Sequence, residues 1–74
     1  MSWTWEQRRA ALEARNEAAR RYNELLDQWK AEKDPDRRSV LGERLDDADA
    51  EYEEANEYYE DIVIDMYNES LRCY

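Results

Sequence analysis

Between Asp46 and Met66 the chain runs through three stacked heptads, DDADAEY, EEANEYY and EDIVIDM. Each opens with two carboxylates, puts an apolar residue third (Ala48, Ala55, Ile62) and closes on a bulky one (Tyr52, Tyr59, Met66). With Leu41 and Leu45 in front, positions 41, 45, 48, 52, 55, 59, 62 and 66 alternate by four and three, the spacing that holds one edge of a helix against a neighbour. This stretch therefore predicts a long helix with a dry edge and an acidic edge.

A second helix must supply the neighbour, and the residues before the repeat provide one. Thr4 followed by Gln7 matches a capping box, with Ser2 as the competing cap, so a first helix is expected over about residues 4–33. Its apolar stripe runs through Trp5, Ala11/Leu12, Ala18/Ala19, Tyr22, Leu25/Leu26 and Trp29, with Arg8 and Arg15 interrupting it. Proline suits the first position of a helix and aspartate the cap before it, so Asp34-Pro35-Asp36 ends one helix and starts another, with Ser39 as a fallback cap. The second helix is expected over about residues 35–72, with the turn at 34–35. A connection this short forces antiparallel neighbours. Folding the chain at 34 pairs Tyr22 with Leu45, Ala19 with Ala48, Leu12 with Ala55 and Trp5 with Ile62 and Val63. Gly42, costly inside a helix, is expected to make room for Trp29.

The fold class that follows is all-α, an antiparallel two-helix hairpin forming a single domain over residues 1–74. The second helix outruns the first, leaving Met66, Tyr67, Leu71 and Tyr74 in need of cover, and two helices leave one side of each seam wet. At this length one core supplies only a few kcal/mol, so the hairpin is expected to pair into a homodimeric four-helix bundle. Leu41, Leu45, Tyr52, Tyr59, Ile62, Val63 and Met66 form the expected seam. Trp5, Tyr22 and Trp29 are expected in the core; Trp3, Tyr58, Tyr67 and Tyr74 fall outside it.

Charge is distributed unevenly. Residues 1–42 carry nine basic and eight acidic side chains, whereas residues 43–74 carry two basic and twelve acidic, so the net charge of −9 resides on the second helix. That disfavours direct binding to nucleic acid or an anionic membrane and favours a partner with a basic surface. No apolar run is long enough to span a bilayer and the N-terminus lacks the pattern of a signal peptide, which predicts a cytoplasmic protein with Cys73 a free thiol.

Catalytic signals are nearly absent: there is no histidine, no Gly-rich phosphate loop, and no Ser or Cys beside a base. A di-iron bundle site would need inward Glu residues and a Glu-x-x-His, and here the acids fall outward; no enzyme activity, cofactor or metal is expected. The acid pairs Asp46/Asp47, Glu53/Glu54 and Glu60/Asp61 instead recur about every 10 Å along the far side of the second helix. Arginines of the first helix are expected to neutralise the acids flanking the seam. The outermost pairs stay bare, so Glu53, Glu54, Glu57, Tyr58, Glu60, Asp61, Asp65 and Tyr67 are the candidate partner-binding residues of an inhibitor, adaptor or assembly factor. In size, charge and tyrosines set among acids, the chain resembles small acidic helical proteins that imitate the phosphate rows of DNA, as phage-type anti-restriction and some anti-CRISPR inhibitors do. That compositional resemblance implies a nucleic-acid-binding protein as the target. A purely structural self-assembling module is the remaining alternative. The secreted WXG-type hairpins are excluded, because their Trp-x-Gly turn is here Asp-Pro-Asp.

Overall fold

A computed structural model describes residues 2–72 as two helices, α1 (Trp5–Ala31) and α2 (Pro35–Arg72), joined by residues 32–34 into an antiparallel hairpin. Cys73 and Tyr74 lie outside the described residues. Each boundary has a local cause. Thr4 is extended; its hydroxyl accepts from the Gln7 backbone N–H at 3.0 Å, and its own N–H donates to the Gln7 side chain at 2.8 Å. The two bonds satisfy donors that an uncapped helix leaves orphaned. At the other end of α1, Glu32 turns extended while its N–H still reaches the Gln28 carbonyl at 3.0 Å. Asp34 then caps α2: its carboxylate accepts from the Asp36 N–H at 3.0 Å and its carbonyl from the Arg38 N–H at 2.9 Å. Pro35, at the first helical position, has no N–H to satisfy.

The hairpin measures 59 × 15 × 15 Å, and its radius of gyration is 17.0 Å. A compact domain of this length would have about 11 Å. The molecule is a rod with a thin core: among the described residues only Ala11, Ala18, Ala48 and Ile62 are buried, and Ile62 alone is fully so. Three alanines at the contact let the two backbones approach closely. Around them Leu41, Leu45, Tyr52, Ala55, Tyr59, Val63 and Met66 of α2 are half-buried. The alternation of four and three read from the heptads therefore runs along the whole inner edge of α2.

Three features of α1 differ from the sequence expectation. Arg8 and Arg15 do not interrupt the seam; both are half-buried and continue the row 8, 11, 15, 18, 22, 25, 29. Their guanidinium heads lie over the rings of Trp5 at 5.0 Å and Tyr59 at 5.1 Å. An arginine stem covers apolar surface while its planar head stacks on a ring, so the residue fits a seam flank. Trp5, expected against Ile62 and Val63, is 70% exposed, and Trp3 meets α2 instead, at Tyr58 and Asp65. With the seam at 8 and 11, Trp5 falls on the flank it shares with Leu12 and Tyr59, whereas Trp3 precedes the cap and meets the opposite flank of α2. Residues in contact across the hairpin, Arg21 with Glu51 and Ser2 with Glu69, sit four and three positions further along than a fold at 34 gives. Helical side chains lean toward their own N-terminus, by about one residue on each antiparallel helix, which supplies about two of the four positions at Arg21.

Gly42 does lie beside Trp29, but a Cβ there would meet the indole Nε1 at 3.7 Å, an ordinary contact. The space is not required.

Candidate functional site

The outer face of α2 is built by the heptads themselves. Once Ala48, Ala55 and Ile62 turn inward, helical phase sends the leading pairs of each block to the opposite side, and Glu53, Glu54, Glu57, Glu60 and Asp61 are all exposed. Seven like-charged pairs four residues apart run along this helix, from Glu43/Asp47 to Asp65/Glu69.

Of the arginine row expected to neutralise the acids flanking the seam, Arg21 alone makes such a contact among the described residues. Among the described residues one ion pair links the helices, Arg21 to Glu51 at 3.5 Å; Arg21 also meets Glu17 at 3.8 Å, and Arg37 meets Asp34 at 4.0 Å. Arg8 and Arg15 of that row lie on aromatic rings instead, as does Arg38 of α2, 4.0 Å from the Trp29 centroid. An exposed ion pair contributes about 0–1 kcal/mol and must hold two flexible chains in place, so a ring at contact distance competes well for the guanidinium. No cation of the described residues lies within ion-pair distance of Glu53, Glu54, Glu57, Glu60 or Asp61. Glu60 accepts a hydrogen bond from the Asn56 amide at 3.1 Å.

The remaining candidate residues separate. Tyr58 is half-engaged: Trp3 meets it edge-on, with ring centroids 5.8 Å apart and planes at 88°. The Trp3 indole N–H donates to Asp65 at 3.0 Å, and the Ser2 hydroxyl donates to Glu69 at 3.0 Å. The segment before α1 thus clasps one flank of α2, and sequence reasoning missed it because no helical period governs residues outside a helix. Tyr67 lies nine residues after Tyr58, half a turn around at about 100° per residue, and so borders the opposite flank. It is 64% exposed and shares the end of α2 with exposed Ile64 and Leu71. The two tyrosines therefore bracket the acidic face and do not share one edge of it.

No family model, no curated protein and no solved structure matches this chain. The site must speak through its own chemistry. Among the described residues no group of three His, Cys, Asp or Glu converges as a metal site, and no helix is long and apolar enough to cross a membrane. What the face offers is negative charge at fixed spacing on a rigid rod, edged by aromatic rings. Such a surface attracts cations and orients them.

Proposed function

We propose that this chain is a non-enzymatic protein–protein interaction module that pairs with a second copy of itself and docks a basic protein surface through the acidic face of α2. The observation that carries the reading is that helical phase turns Glu53, Glu54, Glu57, Glu60 and Asp61 outward, where no cation of the described residues lies within ion-pair distance of them. Exposed carboxylates in register steer a basic partner and fix its orientation more than they add raw affinity. Tyr58 and Tyr67 at the edges supply the apolar contact that long charged side chains cannot. A nucleic-acid-binding protein is the partner class favoured next, because acid pairs repeating about every 10 Å offer a row of charges to a phosphate-binding groove.

The test compares the wild-type chain with one carrying Glu54→Lys and Asp61→Lys. These substitutions relieve like-charge repulsion, so helicity should hold or rise. The protein that the wild-type retains from its native host should be lost by the variant, and its affinity for the wild-type should fall steeply with salt. Competition by duplex DNA for the retained protein would identify the nucleic-acid-binding class. Equal retention by both chains would leave self-assembly as the surviving role.

A further inference from the structure

The two flanks of the hairpin are chemically unlike. On one, Ala10, Glu13, Ala14, Glu17 and Arg21 of α1 border Glu51 and Ala55 of α2, and the Arg21–Glu51 ion pair crosses between the helices. The Trp3 clasp closes the same flank farther along, since Tyr58 and Asp65 follow Glu51 at intervals of seven. On the other flank runs a groove lined by Tyr22, Leu26, Trp29, Leu45 and the carboxylate of Asp49, continuing through Ala19 and Tyr52 to Leu12, Tyr59 and Trp5. Within the described residues no ion pair crosses it.

Charge along the rims of this groove is sorted by helix. The α1 rim repeats every seven residues as Arg9, Asn16, Asn23, Lys30; the α2 rim repeats as Asp46, Glu53, Glu60. One rim is basic or neutral and the other is acidic. At equal height along the rod Arg9 lies level with Glu60, Asn16 with Glu53 and Asn23 with Asp46, which is the register of the hairpin itself.

We infer that the groove lined by Leu12, Ala19, Leu26, Leu45, Tyr52 and Tyr59 is the contact face for a second copy of this chain, related by a two-fold axis parallel to the rod, so that α1 of each copy lies against α2 of the other. The inference rests on the self-pairing in the function proposed above and adds its face and its orientation. One fact selects this arrangement. With the axis along the rod, each basic or neutral rim meets an acidic rim at the same height, Arg9 against Glu60, Asn16 against Glu53 and Asn23 against Asp46. With the axis across the rod, α2 meets α2, and Glu53 faces its own copy while Asp46 faces Glu60; like charges directly opposed cost several tenths of a kcal/mol each or more. The area also fits. The chain exposes 6172 Å², against roughly 4,850 Å² for a compact monomer of its mass. A standard interface removes about 800 Å² from each partner, which lies within that difference.

Cross-linking decides between the orientations. On a Cys73→Ser background, Asn16→Cys and Asn56→Cys place a thiol on the α1 rim and on the α2 side of the groove without altering charge. Sedimentation equilibrium is run first on each variant, with circular dichroism to verify the helices. Dimers are expected; treatment with a short bis-maleimide should then give a band of twice the chain mass only when the two variants are mixed and allowed to exchange. A strict monomer at high micromolar concentration overturns both the self-pairing and the inference. Dimers in which Asn16→Cys cross-links to itself overturn the inference alone, since that product requires α1 against α1. Dimers that give neither product place the contact on another face and overturn it equally.

Discussion

At the scale of single residues, Gly42 is a conformational weakness with no compensating need. Its backbone is helical with negative φ, and the site of a Cβ has only the Trp29 Nε1 nearby, at 3.7 Å. Alanine at a helix interior is favoured over glycine by about 1 kcal/mol. Gly42→Ala should therefore raise the free energy of unfolding by about that amount, read from the shift of a urea midpoint at unchanged slope. A destabilised variant would mean that the indole cannot accept even an ordinary contact, as after a closer approach of the helices. The same scale is where sequence reasoning was least reliable. The capping box at Thr4 and Gln7 and the cap at Asp34 were legible, because each depends on residues within one turn. The exchange of Trp3 for Trp5 was not, since a rotation of the α1 seam by one position decides it and the periodicity of α1 tolerates both. Nor was the role of Arg8 and Arg15: a hydrophobic pattern counts arginine as polar, although its stem and planar head suit the rim of a seam.

At the scale of elements, α2 carries a conflict that α1 only partly relieves. Seven like-charged pairs at about 0.2–0.5 kcal/mol each cost the isolated helix roughly 1.5–3.5 kcal/mol. The one exposed ion pair between the helices returns about 0–1 kcal/mol. Repulsion therefore outweighs attraction, and both are screened, since the Debye length falls from about 30 Å at 10 mM salt to about 3 Å at 1 M. Stability should accordingly rise with sodium chloride over that range, followed as the thermal midpoint of the helical circular dichroism signal. A falling midpoint would show that attractive pairs dominate and that the acidic face is compensated after all. The heptads of α2 made its inner edge and its acid pairs readable from sequence, because one seven-residue repeat fixes both. The destination of the arginines was not readable: ion pair and ring contact are close in energy, and the choice depends on which ring the register brings within reach.

At the scale of the whole molecule, a rod of two helices has little interior to lose. Among the described residues four side chains are buried, three of them alanine, and a chain of this size has roughly 3–5 kcal/mol of net stability at most from a single core. Among the described residues Ile62 is the one large side chain that is fully buried, and deleting such a group to alanine costs about 2–5 kcal/mol. Ile62→Ala should therefore leave a large fraction of the protein unfolded at micromolar concentration, seen as lost helical signal. The same substitution also separates a free-standing hairpin from an assembled one. In a monomer, folding is independent of concentration, so the variant stays equally unfolded at every dilution. In a self-paired molecule, each tenfold rise in concentration favours the assembled state by about 1.4 kcal/mol. The helical signal of Ile62→Ala should then return as the protein is concentrated, and the wild-type midpoint should climb in parallel. A flat response in both proteins would mean that the thin core suffices by itself.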